Sequence, residues 1–158
     1  MSTHDPALMR RALDLALDAV RSGTGGPFGA LVVRDGHVVA TGQNRVTSTN
    51  DPTAHAEIVA IRAACRQLES FHLQGCVLYA SCEPCPMCLA AALWARVDAV
   101  YYAGTREDAA RAGFDDARFH RELAAPSGER SLCMEQTMRE AAREAFDAWA
   151  AKGDRTPY

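Results

Sequence analysis

Cys76-Val77-Leu78-Tyr79-Ala80-Ser81-Cys82-Glu83-Pro84-Cys85-Pro86-Met87-Cys88 passes from an apolar run, through a turn, into the start of a helix. Cys76 to Ala80 has the length and composition of a short buried strand. Pro84 and Pro86 mark the turn, and the helix is expected from about Cys85 to Ala95. Asp98-Ala99-Val100-Tyr101-Tyr102-Ala103 then reads as a second strand. A strand, a helix and a strand in this order predict a parallel crossover, and hence an α/β fold. Cys85 and Cys88 are three residues apart in the first helical turn, so both thiols point the same way.

Upstream, a first helix is expected from about Asp5 to Ser22. Asp5 is its cap, Pro6 stands at the first helical position, and Met9, Leu13, Ala16, Leu17 and Val20 form one apolar face. Phe28 to Arg34 and His37 to Gln43 read as antiparallel strands joined by Asp35-Gly36, a two-residue hairpin turn. The polar run from Asn44 to Asp51 is a loop, and a second helix begins near Pro52 and Thr53. Ala54, Ile58, Ile61, Cys65 and Leu68 form its seam, with His55 and Glu57 in the first turn, at the positive end of the helix dipole.

Downstream, short helices are expected over Arg106 to Ala112 and Asp115 to Leu123, and a fifth strand over Arg130 to Glu135. A last helix from Met138 to Ala151 carries Met138, Ala142, Ala145, Phe146 and Trp149 on one face, followed by a polar tail, Lys152 to Tyr158. The expected architecture is an α/β sandwich of three layers around a mixed five-stranded sheet, in one domain spanning residues 1–158.

Zinc takes nitrogen and sulfur ligands, and a catalytic zinc keeps one of its four positions open. His55, Cys85 and Cys88 fill three. A structural zinc needs a fourth protein ligand, for which Cys82 is the nearest candidate. Glu57, two residues past the histidine, favours the catalytic alternative, as a carboxylate placed to move protons beside a zinc-bound water. H-x-E followed by P-C-x-x-C is the spacing of zinc-dependent base deaminases. Their hydroxide adds to an amidine carbon, and the amino group leaves as ammonia. The Ala56 N–H, at the helix start, is a candidate donor to the substrate. Cys65, Cys76 and Cys133 read as core residues.

The 158 residues carry a net charge of -3, with no run of Lys or Arg, which argues against a nucleic-acid partner. No apolar run approaches the ~20 residues of a membrane span, and Met1-Ser2-Thr3-His4-Asp5 lacks the pattern of a signal peptide, so a cytoplasmic location is expected.

Asn50 to Glu57 together with Ser81 to Cys88 resembles the cytidine and deoxycytidylate deaminase superfamily. Gly25-Gly26-Pro27-Phe28-Gly29-Ala30, Gly42-Gln43-Asn44, Trp94-Ala95-Arg96, Ala112-Gly113-Phe114-Asp115-Asp116 and the terminal Tyr158 are similar to its bacterial guanine deaminase branch. The resemblance implies the cytidine deaminase-like sandwich, one Zn2+ per chain, and hydrolysis of guanine to xanthine and ammonia in purine catabolism. It also implies a homodimer in which the C-terminal segment, residues 152–158 included, crosses to close the partner's site. Carried over by position, Phe28 stacks on the purine, Asn44 and the Ala56 backbone hydrogen-bond it, Asp116 meets the 2-amino edge, and Trp94 and Tyr158 line the pocket. Chemistry supports Asp116 in particular: guanine's N1–H and 2-amino group are donors, and an ionised carboxylate only accepts. The competing readings are a guanosine deaminase, a tRNA adenosine or cytosine deaminase, and a zinc-stabilised interaction domain without activity.

Overall fold

The computed structural model describes residues 4–158, so the first residues of the N-terminal stretch lie outside the described part. Helix α1 (Pro6–Arg21) opens the chain, and the Asp5 side chain caps it by accepting from the Ala7 N–H, as expected. Strands β1 (Gly29–Arg34) and β2 (His37–Gln43) follow as an antiparallel hairpin. Asp35 and Gly36 both adopt positive φ at its tip, as a two-residue turn matched to strand twist requires. A single turn, α2 (Val46–Thr49), interrupts the expected loop. Helix α3 (Ala56–Gln67), strand β3 (Cys76–Cys82), helix α4 (Pro86–Ala95) and strand β4 (Ala99–Gly104) come next.

The sheet has the order β2-β1-β3-β4. β1 is antiparallel to β2 and β3, and β3 is parallel to β4 across α4, which is the predicted crossover. The sheet is therefore mixed. It has four strands among the described residues, where five were expected.

β1 is central, and the alternation of its side chains sorts the core into two halves. Ala30 and Val32 join Ala56, Ala60, Ala64, Leu78 and Ala92 beneath α3 and α4. Leu31 and Val33 join Ala12 and Tyr79 beneath α1. Helices on both faces make three layers.

The expected apolar face of α1 holds in part: Ala16 is buried and Met9 packs against the core. Its buried positions are Ala12, Ala16 and Ala19, and Leu17 and Val20 are exposed. Small side chains bring the helix close to the sheet, so alanines take the seam that size alone assigns to Leu and Val. On α3, the first turn sits on Gly42: a β-carbon there would lie 2.1 Å from the Ala56 carbonyl oxygen and 2.6 Å from the Ala60 nitrogen. Only glycine admits so close an approach of helix to strand.

Helix α5 (Arg106–Arg111) starts from β4 with a capping box between Thr105 and Asp108, and α6 (Ala117–Ala124) follows. The chain divides into two compact units, the second covering Arg118–Tyr158. Within the second unit lie a short 3-10 turn (Ser127–Glu129) and α7 (Arg139–Ala151), which Met138 enters at positive φ rather than as its first helical residue. The fifth strand expected over Arg130 to Glu135 does not form. The Ser131 N–H donates instead to Glu122 Oε2 at 2.8 Å, and Arg130 Nε donates to the Ala125 carbonyl at 3.1 Å. Side-chain bonds of this kind hold the segment locally, in place of a ladder. No residue from 118 to 158 is buried, and Cys133, expected in the core, is exposed.

Candidate active site

Two helix starts converge on one point. His55 is the N-cap of α3 and Cys85 the N-cap of α4, each with extended backbone. The helices thus begin one residue after their first metal-binding candidates. Cys88 lies in the first turn of α4 and is fully buried. His55 Nδ1 stands 3.5 Å from the Sγ of Cys85 and 3.5 Å from that of Cys88, and the three ligand atoms all lie within 4.8 Å of one another.

These distances test the fit of a metal. A tetrahedral zinc, with bonds of about 2.1 Å to nitrogen and about 2.3 Å to sulfur, sets those atoms about 3.6 Å apart. The spacing therefore matches zinc, and so does the donor set. The charges agree. Hydrogen bonds from Cys88 and then His55 draw the Cys85 thiol down to about 4, whereas its neighbour's sulfur and burial push Cys88 well up. Two thiolates share this spot only with a cation between them.

Cys82, the candidate for a fourth ligand, is absent from the cluster. Its Sγ faces the Thr105 carbonyl at 3.5 Å, and burial pushes its thiol up to about 11. Three protein ligands leave one position open, which is the arrangement of a catalytic rather than a structural zinc.

Glu57 is the second residue of α3, in its first turn, and is only 7% exposed. Burial raises its carboxyl above the ordinary range. The hydrogen bond to Cys85 raises His55. A carboxyl so placed exchanges protons more readily near neutrality than an exposed one.

The loop before α3 is held by its own side chains. Asp51 Oδ1 accepts from the Thr53 N–H at 2.8 Å and from the Thr53 hydroxyl at 2.7 Å, and Asp51 Oδ2 pairs with Arg62 at 3.8 Å. The loop before α4 is tied to β4: the Glu83 N–H donates to the Gly104 carbonyl at 2.8 Å, and the Arg106 N–H donates to Glu83 Oε2 at 3.3 Å.

Asn44 is 6% exposed. Its Oδ1 accepts from the Gly26 and Val46 N–H groups, each at 3.2 Å, and its own N–H donates to the Phe28 carbonyl at 3.0 Å. The oxygen is thereby committed to backbone. Phe28 is half-buried at the start of β1 and meets Phe114 at 5.0 Å between ring centroids, with the ring planes at 86°. A concavity of about 170 Å³ is lined by Phe28, Ser81, Cys82, Asp108 and Phe114 among others. Ala56 is fully buried in the first turn of α3, where N–H groups have no acceptor within the helix.

Three further expected site residues are Trp94, Asp116 and Tyr158. Trp94 is 69% exposed in the last turn of α4, far along the helix from Cys85, beside a concavity of about 310 Å³ lined by Ala90, Leu93, Trp94 and Arg96. Asp116 is half-buried between α5 and α6. Asp115 accepts from the Ala117 N–H at 2.9 Å, where α6 begins. Tyr158 belongs to the second unit and is exposed. Phe114 went unassigned in the sequence. The Phe-Asp-Asp run flagged its neighbourhood, but no local pattern pairs it with Phe28. Ser81 also escaped notice: it is buried, and its hydroxyl accepts from the Gly29 N–H at 3.0 Å, joining β1 to β3 just ahead of the cysteine loop.

Comparison with known proteins agrees with this site. Guanine deaminase of Bacillus subtilis (strain 168) is 49% identical over 150 residues, 95% of this chain and 96% of its own. The X-ray structure of guanine deaminase from Bacillus subtilis matches with a TM-score of 0.95 at 47% identity, over 99% of both chains. A solved guanine deaminase from Nitrosomonas europaea is 33% identical, with a TM-score of 0.67 over 74% of this chain and 68% of that one. The tRNA-specific adenosine deaminase of Aquifex aeolicus is 43% identical over 76 residues, 48% of this chain and 50% of its own. Residues 2–104 match the model described as the cytidine and deoxycytidylate deaminase zinc-binding region. The cofactor is one Zn2+, at His55, Cys85 and Cys88, and the chain belongs to the cytidine and deoxycytidylate deaminase family.

Proposed function

We infer that this chain is a zinc-dependent aminohydrolase that converts guanine and water to xanthine and ammonia. One observation carries the reading: an open three-ligand site with Glu57 buried beside it, in a chain similar to guanine deaminase over 95% of its length. The likeness to tRNA-specific adenosine deaminases is weaker where it is long: that of Haemophilus influenzae is 34% identical over 80% of this chain, against 49% over 95% for guanine deaminase.

Zinc, when bound, lowers the pKa of water enough to supply a nucleophile near pH 7. Glu57 takes the proton that this water gives up and hands it to the ring nitrogen adjoining C2 of guanine, making C2 electrophilic. After the water oxygen has added to C2, Glu57 carries a proton to the 2-amino group, and the C2–N bond breaks to release ammonia. Phe28 stacks on the purine. The amide nitrogen of Asn44 donates to an acceptor on the purine, and the Ala56 N–H gives a second donor. Asp116 accepts from N1–H and the 2-amino edge. This last contact selects guanine over adenine and cytosine, whose corresponding edge carries a ring nitrogen acceptor.

The working unit in this proposal is a homodimer, with residues 1–158 as one deaminase domain whose C-terminal segment is exchanged. Residues 152–158, ending at Tyr158, close the partner's site, and Trp94 lines the completed pocket. Two features support this. Phe146 on α7 is 71% exposed, and Leu93 and Trp94 present an apolar surface on α4. The described cysteines are all free, which suits the reducing cytoplasm as the place of action. No helix of the described residues is long and apolar enough to cross a membrane.

The test is ammonia release by the zinc-loaded protein from guanine, guanosine, adenosine, cytosine and tRNA. Guanine is expected to be the preferred substrate, with xanthine as co-product. Preference for guanosine moves the assignment to the nucleoside. No release from any of the five, at one zinc per chain, defeats the enzymatic reading.

A further inference from the structure

We propose that Phe114 is a positioning residue: it fixes the plane of the Phe28 ring, and through that ring it sets how tightly the purine is held. The proposal rests on the guanine reading above, with Phe28 as the stacking platform.

The bracket that presents Phe114 can be followed bond by bond. β4 ends at Gly104, whose carbonyl accepts from Glu83 in the cysteine loop. Thr105 and Asp108 then cap α5 reciprocally. The helix closes with the Gly113 N–H donating to the Ala110 carbonyl at 3.0 Å and the Phe114 N–H donating to the Ala109 carbonyl at 2.9 Å. Gly113 is at positive φ, which turns the chain sharply at this point. Phe114 is thus delivered from a rigid element anchored to the loop that carries Cys85, and not from a free loop.

Its ring meets Phe28 at 5.0 Å and 86°, the favoured edge-to-face arrangement. The fit is close from the other side as well. A β-carbon on Gly26 would lie 3.2 Å from Phe114 Cζ and 3.3 Å from Phe28 Cδ2, so the backbone of Gly26 covers the pair. Gly26 is itself held by Asn44 Oδ1. Phe28 thus has Gly26 and Phe114 as close neighbours, and Asn44 is tied to the same assembly through Gly26. Phe114 remains 45% exposed, so its side chain is not needed to fill a sealed core. Its tight contact with one ring points to orientation of that ring.

The test is a double-mutant cycle in the full-length, zinc-loaded protein, with kcat and KM for guanine as readouts. Phe114→Ala is expected to raise KM about two- to tenfold, the range of an edge-to-face pair, with a smaller change in kcat. Phe114→Tyr, which keeps the ring, is expected to restore the wild-type KM. In a Phe28→Ala background, Phe114→Ala is expected to add nothing further. Should Phe114→Ala unfold, Phe114→Leu keeps most of the volume without a ring edge and is scored in the same way.

Aromatic NMR of the substrate-free protein supplies a second readout, in which Phe114→Ala is expected to speed flipping of the Phe28 ring. An unchanged KM and flip rate, or equal effects of Phe114→Ala with and without Phe28, overturn the proposal. Absence of guanine turnover by the wild-type chain defeats the functional reading instead, and the flip rate still decides whether Phe114 holds Phe28.

Discussion

Gly42 on β2 and Ala56 on α3 are in direct backbone contact: a β-carbon at position 42 would fall 2.1 Å from the Ala56 carbonyl oxygen. The strand seats the helix whose cap is His55 and whose first turn holds Glu57. Gly42→Ala must therefore push that turn away. Overpacking of this kind costs about 1–3 kcal/mol. The variant is expected to melt lower than wild type and to retain less than one zinc per chain after dialysis. Thermal melts and metal analysis check both, and full zinc retention would show that the turn accommodates the methyl group.

Glu57→Gln leaves the ligand set intact and removes the group that moves protons. General acid–base catalysis contributes about 10²–10⁴-fold, so kcat is expected to fall by that much while zinc content and melting temperature hold. Steady-state kinetics with metal analysis measure it. A variant with wild-type kcat assigns the proton transfer to another group.

Cys85→Ala removes a zinc ligand and is expected to lose metal and activity together. Chelation of the wild-type protein should do the same reversibly. Because zinc binds the folded chain, its removal lowers the melting temperature, and a metal present at about 100 times its dissociation constant contributes about 2.7 kcal/mol. Calorimetry before and after chelation, then after zinc is restored, gives the shift.

Asp116→Asn replaces an acceptor-only group with one that also donates toward guanine's own donors. Hydrogen bonds to charged groups contribute about 1.5–3 kcal/mol, so kcat/KM for guanine is expected to drop about ten- to hundredfold. A fall confined to stability would identify Asp116 as structural.

Two variants, each expected to have low activity alone, distinguish an exchanged tail from one that folds back on its own chain. The first lacks residues 152–158 and keeps Glu57. The second carries Glu57→Ala and keeps the tail. If the tail closes the partner's site, unfolding and refolding the two together is expected to restore turnover in mixed dimers. Persistent inactivity with confirmed mixed dimers rules out exchange.

The chemistry was more legible in the sequence than the packing. His55, Glu57, Cys85 and Cys88 could be read because ligand identity and helical spacing are local properties. The Asp5 cap, the Asp35-Gly36 hairpin and the crossover from β3 through α4 to β4 were legible for the same reason. The inner face of α1 was legible only in part. Hydrophobic periodicity gives weight to Leu17 and Val20, but the sheet selects Ala12, Ala16 and Ala19 for close approach. The absent fifth strand has a similar origin: Arg130 to Glu135 reads as a strand, and the Glu122 carboxylate takes the Ser131 N–H that a ladder would use. That Asn44 commits its oxygen to backbone depends on Gly26, whose proximity only the fold creates.

Asn44 also marks where this chain's chemistry is easiest to redirect. With Oδ1 engaged by two backbone groups, changing Asn44 to Asp keeps the acceptor of the loop contacts and exchanges the NH2 for an oxygen. One atom then reverses the polarity offered to a ligand, while the scaffold that holds Phe28 stays in place. Truncation to alanine confounds these two effects, whereas the isosteric exchange separates them. Position 44 is thus an economical starting point for evolving a different base preference on an unchanged framework.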